Sequence, residues 1–175
     1  YVDNIYVDVL PQFNETGKAL YQAFEEAGAH LLRAVAIYMG LSEDYFAAKI
    51  HNGNSILRAI HYPPIKQEPK SSIRAEQHED INLITLLVGA SAEGLQAQDV
   101  YGDWVPIMPP EGHLVINVGD MLQRLTNNVL RSTPHRVVNP PTENWHTDRF
   151  SIPFFLHPRS NMDLTCLDFC VTEEK

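Results

Sequence analysis

Cysteine is scarce. The 175-residue chain has two, Cys166 and Cys170, too few for a disulfide framework, so stability has to come from a packed core. A pair of reduced thiols is the plain reading, and it suits a reducing cytoplasm. Positive charge is scarce as well: 13 Lys and Arg stand against 22 Asp and Glu, a formal net charge of −9. That argues against nucleic acid as a partner, because a phosphate backbone selects a basic face. A small anion is still allowed, since one buried Arg acts locally. Long hydrophobic runs are missing too. No apolar stretch reaches the length of a membrane span, and no secretory signal is visible. Internal repeats and low-complexity segments do not stand out. What is present is an ordinary hydrophobic fraction of 44%, in a length suited to one domain.

The periodicity changes once along the chain. Residues 1 to 13 read as an irregular or extended lead-in with Pro11 as a breaker. From Asn14 to about Met39, apolar residues recur at helical steps (Ala19, Leu20, Ala23, Phe24, Ala27, Leu31, Val35, Tyr38). Asn14 serves as N-cap and Gly40 as stop. A short second helix is expected from Ser42, with Glu43 and Asp44 in its first turn. Both are read as packing helices. After Gly53 the pattern is that of strands. Ser55 to Tyr62 ends at Pro63-Pro64, and residues 65 to 76 form a polar loop. Ile81 to Val88 is apolar on both faces. Gly94 to Val100 and Trp104 to Met108 form a hairpin around Tyr101-Gly102-Asp103. Leu114 to Val118 is a further strand, Asp120 caps a helix over Met121 to Thr126, and Asn127-Asn128 turns the chain. Val129 to Val138 and Arg149 to Leu156 close the set. Many short strands at close spacing predict a mainly β fold with packing helices, a sandwich or jelly roll. The expected division is a helical support segment over 1–54 and a β core over 55–175 of the same domain.

One short stretch carries chemistry. In Gln77-His78-Glu79-Asp80, at the mouth of the apolar run Ile81 to Val88, an extended chain puts His78 and Asp80 on one face and turns Glu79 away. An imidazole and a carboxylate side by side offer two adjacent ligands to a divalent metal. His135, in Ser132-Thr133-Pro134-His135-Arg136-Val137, offers a third. Two His and one carboxylate form the facial triad of non-haem Fe(II) oxygenases. Fourteen residues on (149 − 135), Arg149 and Ser151 again share a face. Arg149 suits a carboxylate gripped through two parallel hydrogen bonds, with Ser151 adding a third. A metal plus such a clamp suits a small diacid cosubstrate that chelates iron at one end.

These pieces, with Leu57-Arg58-Ala59-Ile60-His61-Tyr62-Pro63-Pro64, Gly94-Leu95-Gln96, Gly102-Asp103-Trp104 and Asn117-Val118-Gly119-Asp120-Met121-Leu122-Gln123, stand in order along most of the chain. In this the sequence resembles the iron- and 2-oxoglutarate-dependent dioxygenases of the isopenicillin N synthase-like superfamily. The resemblance implies a double-stranded β-helix (a cupin-like jelly roll) with helices packed on one side. It implies Fe(II) on His78, Asp80 and His135, and the distal carboxylate of 2-oxoglutarate on Arg149 and Ser151. It places Tyr62 near the cosubstrate and Asn117 at the cavity. Two departures are visible: Ile60 stands where many relatives carry Asn, and the gap from His135 to Arg149 is longer than usual, which the loop Pro140 to Asp148 can absorb. The resemblance also implies a further N-terminal segment and a C-terminal tail.

The implied activity is oxidation by O2 of a small organic substrate, most simply hydroxylation, with release of succinate and CO2. One alternative keeps the triad without consuming 2-oxoglutarate, as isopenicillin N synthase and aminocyclopropane carboxylate oxidase do; succinate formation separates the two. The other is a non-catalytic jelly-roll binding module. Substrate and oligomeric state are left open. His135→Ala is expected to abolish iron binding, and Arg149→Ala to spare iron while weakening 2-oxoglutarate binding. Equilibrium dialysis with each ligand checks both, and unchanged 2-oxoglutarate affinity in Arg149→Ala would refute the clamp.

Overall fold

The long first helix begins earlier than its pattern suggests. In the computed structural model, which describes residue 4 and residues 6–171, α1 spans Pro11–Tyr38. Pro11 initiates the helix instead of breaking it, because the first helical position needs no N–H and its φ is preset. Asn14 is therefore not the N-cap. Its side chain ties the lead-in instead: Val7 N donates to Asn14 Oδ1 at 3.0 Å, and Asn14 Nδ2 donates to Val7 O at 3.1 Å. The buried stripe is Phe24, Gly28, Leu32 and Ala36. Leu31 and Val35 sit at its edge, and Tyr38 is exposed. Gly40, at φ 70°, ends the helix as expected. The second helix, α2, is only Ala47–Ile50; Ser42 begins turns, not a helix.

Residues 1–51 and 52–175 form two compact units, and the second carries the sheets. Its strands are β1 (Ile56–Leu57), β2 (Ile60–Tyr62), β3 (Ala75–His78), β4 (Ile84–Val88), β5 (Leu95–Gln98), β6 (Trp104–Pro106), β7 (Leu114–Val118), β8 (His135–Val137), β9 (Arg149–Ser151) and β10 (Pro153–Leu156). They make two antiparallel four-stranded sheets, ordered β1-β10-β4-β7 and β3-β8-β5-β6, and a β2-β9 pair. This is the mainly β, jelly-roll arrangement the pattern predicts. The expected hairpin is present, with Gln98 opposite Trp104. Asn127 and Asn128 both take positive φ, as the turn requires.

Several strands are shorter than their apolar runs. Ser55 to Tyr62 splits into β1 and β2, which pair with different partners, and Arg149 to Leu156 splits at Ile152 into β9 and β10. Each break lets one run serve two sheets. Val129 to Val138 keeps only His135–Val137 as strand, since Thr126 and Gln123 side chains bind the backbone of Leu130 and Ser132 before it. Conversely, the loop over 65 to 76 ends in β3. The run from Ile81 becomes strand only at Ile84; Ile81 is 66% exposed while Ile84 to Leu87 are buried.

Helix α3 (Asp120–Leu125) follows Gly119, which occupies the cap position. Asp120 is the first helical residue and makes no side-chain cap bond. The N-terminal amides go instead to the loop ahead of β4. Gly119 N donates to Leu83 O (2.9 Å), Asp120 N to Asp80 O (2.7 Å), and Met121 N to both Ile81 O and Asn82 O (3.2 Å each). A Cβ on Gly119 would collide with Asn82 O and with its Oδ1. Gly119→Ala is expected to cost about 2–4 kcal/mol, because backbone and not a flexible side chain has to move; thermal unfolding checks this, and an unchanged Tm would refute it.

Candidate metal and anion site

The antiparallel pairing of β3 with β8 sets His78 directly opposite His135. Their rings lie 4.3 Å apart between centroids, tilted by 55°. Asp80 follows two residues after His78, in the loop held by α3. Its Oδ1 is 3.7 Å from His135 Nε2. Ligand-type atoms of His78, Asp80 and His135 all lie within 4.8 Å of one another. Asp80 and His135 are buried and His78 is exposed. The pair thus straddles the passage from β3 to the β4 sheet, and is not the start of a strand running on through Ile81.

Hydrogen bonds aim these groups. His78 Nδ1 is 2.7 Å from Glu76 O, and His135 Nδ1 is 3.0 Å from Thr133 O. A carbonyl only accepts, so each Nδ1 donates, and the neutral ring keeps its lone pair on Nε2. Asp80 Oδ2 accepts from Thr85 Oγ1 at 2.6 Å, and that hydroxyl accepts from Asn82 Nδ2 at 2.8 Å. Oδ1 is left toward the histidines. Two neutral imidazoles and a carboxylate, each oriented by a hydrogen bond on its far side, can hold a divalent metal such as Fe(II). Glu79 is exposed, as expected; partial burial and then the neighbouring Asp120 carboxyl raise its pKa. His157 also comes near: burial lowers its pKa and Asp80 opposes that shift. Its position, 77 residues from Asp80 (157 − 80), gave no spacing signal. His61 lies elsewhere, exposed, paired with Asp148 and stacked on Phe150.

The clamp residues behave against hydropathy. Arg149 and Ser151 are 1% and 7% exposed, whereas Phe150 between them is 51% exposed. Arg149 Nε donates to Ala92 O at 3.1 Å, and its buried Nη1 has no hydrogen-bond partner among the described residues. Tyr62 is opposite Arg149 across the β2–β9 ladder, with the guanidinium carbon 5.1 Å from the ring centroid. Burial lowers the Arg149 pKa, Tyr62 opposes the shift, and nearby Arg74 adds to it. A buried cation without a counter-anion is costly, which shapes the site for an anion. A cavity of about 200 Å³, lined in part by Leu87, Leu95, Met108 and Val115, opens onto Arg149. Asn117 pairs with Thr85 across β4–β7, so its Cβ leaves the sheet on the same side as the threonine that holds Asp80. Ile60 is opposite Ser151. Sequence reading missed Thr85 and Arg74, the first inside an apolar run and the second inside a polar loop.

The β-sandwich and the His-Asp-His cluster define a class: jelly-roll proteins built to hold one divalent metal. The sequence model of the 2OG-Fe(II) oxygenase superfamily matches residues 53–158, and the chain belongs to that family. It is 36% identical over 173 residues to the 2-oxoglutarate-dependent dioxygenase htyE of Aspergillus rugulosus, covering 94% of this chain and 53% of that one. It is 34% identical to the proline hydroxylase buaE of Petromyces alliaceus, covering 94% and 54%. Among solved structures, a Caulobacter crescentus protein assigned to the 2OG-Fe(II) oxygenase family superposes with a TM-score of 0.91 at 48% identity, covering 99% of this chain and 56% of that one. A Neurospora crassa protein in complex with alpha-KG and thymine gives 0.88 at 32%, covering 98% and 54%. The chain spans about half the length of the curated relatives it matches.

Thr85→Val keeps the shape of the side chain and deletes the hydroxyl that aligns Asp80. It should weaken Fe(II) affinity by about tenfold, the usual scale for a ligand's hydrogen-bond partner. A competition assay against a chelating dye measures it; wild-type affinity would show that Thr85 does not align the carboxylate.

Proposed function

We propose that the protein is a non-haem Fe(II)- and 2-oxoglutarate-dependent oxygenase. It oxidises, most simply hydroxylates, a C–H bond of a small organic substrate, and releases succinate and CO2. The observation that carries this reading is the pairing of an aimed His78–Asp80–His135 cluster with a buried Arg149 whose Nη1 has no partner among the described residues. Relatives named 2-oxoglutarate-dependent dioxygenases, and solved relatives holding alpha-KG, support it.

His78 and His135 give Nε2 and Asp80 gives Oδ1 to Fe(II). With iron, 2-oxoglutarate and O2 bound, these supply the oxidising chemistry. Thr85 keeps the Asp80 carboxylate turned, so the negative charge stays on the metal side. Arg149 Nη1 and the Ser151 hydroxyl hold the far carboxylate of 2-oxoglutarate, and Tyr62 covers the Arg149 guanidinium from the neighbouring strand. Asn117 lines the same region behind Thr85. Reduced Cys166 and Cys170 suit a cytoplasmic enzyme; no helix among the described residues is long and apolar enough to cross a membrane. Relatives with names as different as proline hydroxylase buaE and 2'-deoxymugineic-acid 2'-dioxygenase do not choose a substrate.

Anaerobic titration of the metal-free protein with Fe(II), then with 2-oxoglutarate, should produce a visible charge-transfer band that saturates, and that is lost at the same ligand concentrations in Arg149→Ala. Iron binding without a band would favour an oxidase that binds substrate directly to the metal. No iron binding would favour a non-catalytic jelly roll.

A further inference from the structure

Arg74 precedes β3 and stands four residues before His78, a reach of about 13 Å in extended chain. It stands at the bend that leads into the sheet carrying both histidines, whereas Arg149 is on β9. Its guanidinium carbon lies 5.8 Å from the Tyr62 ring centroid, the ring that Arg149 also approaches. Two arginines, one in the bend ahead of β3 and one on β9, thus approach one tyrosine.

Arg74 is poorly served by the protein. Its Nη2 donates to Thr147 O at a long 3.4 Å, and its Nε and Nη1 are shielded from solvent without a partner among the described residues. The acid whose charge it feels is Asp148, but an oxygen of that carboxylate is engaged by His61. Burial lowers the Arg74 pKa, the direction of a cation short of compensation. Two neighbouring guanidinium groups repel each other and are desolvated together, a state that bound anions relieve.

In the proposed reading Arg149 Nη1 and the Ser151 hydroxyl, both on β9, hold the far carboxylate of 2-oxoglutarate. Arg74 adds a second positive charge and further unused donors on the side from which β3 leads to His78. We propose that Arg74 anchors a second carboxylate beside Tyr62, and that this carboxylate belongs to the substrate, which makes the substrate a small organic acid. This rests on the assignment of Arg149 to the cosubstrate.

The test uses the intact protein and two binding readouts. In the first, the anaerobic charge-transfer titration is repeated with Arg74→Gln. An apparent Kd for 2-oxoglutarate within about twofold of wild type is expected; a loss of about tenfold, the scale of one charge-assisted hydrogen bond, would assign Arg74 to the cosubstrate and overturn the proposal. Formation of the band in wild type also shows that the underlying functional reading stands, whatever the second readout gives. In the second, thermal unfolding of the Fe(II)- and 2-oxoglutarate-loaded protein is followed with a panel of amino acids and small carboxylic acids, each beside its own primary amide. Acids are expected to raise Tm where their amides do not, and Arg74→Gln to need about tenfold more acid for the same shift. Equal stabilisation by amides, an unchanged response in Arg74→Gln, or no response to any acid overturns it. Arg74→Lys, which keeps the charge without the fork, should recover part of the response.

Discussion

The structure depends on a loop held by a helix start. Residues 80–83 leave one sheet and enter the other, and a crossing of that kind exposes backbone carbonyls with no ladder to join. The first amides of α3 have the complementary deficiency, because a helix leaves its N-terminal N–H groups unpaired. Docking the two satisfies both sets at once. The contact is close enough that Gly119 has no room for a Cβ. Asp80 is therefore placed by backbone bonds at its own carbonyl and at the three that follow, and its side chain by Thr85. The two histidines are placed by an independent device, the β3–β8 pairing. The cluster exists because these two constraints meet.

Charge in the interior runs against charge outside. The chain as a whole is acidic, at −9, yet two arginines with unused donors approach Tyr62, Arg149 fully buried and Arg74 partly so. Arg149 is too costly to bury for stability alone. The sheet edge that buries Arg149 also turns Phe150 out to solvent, so apolar burial is given up to keep the cation inside.

Much of this was legible in the residues themselves. Period-two alternation with frequent turn residues announced a β-sandwich, and Tyr101-Gly102-Asp103 marked its hairpin. The spacing of Arg149 and Ser151 put that pair on one buried face, whereas His78 and Asp80 come together although β3 ends at His78. Pro11 misled, because its role depends on whether a helix begins at it or before it. Ser42 misled for a similar reason: acidic residues after a hydroxyl imitate a helix start, but the turn there does not propagate. Thr85 and Arg74 had no local signal. One sits in an apolar run and the other in a polar loop, and their neighbours at the site are far away in sequence.

The sequence by itself determined the class of fold and nominated the side chains of the candidate site, because these follow from local periodicity and residue type. Only the tertiary structure decided where the apolar runs break to change sheets, that His78 and His135 meet across a ladder, that Thr85 turns Asp80, and that Arg74 and Arg149 converge on Tyr62. Those facts depend on register and on contacts between distant segments, and register is set by the packing of whole sheets against one another.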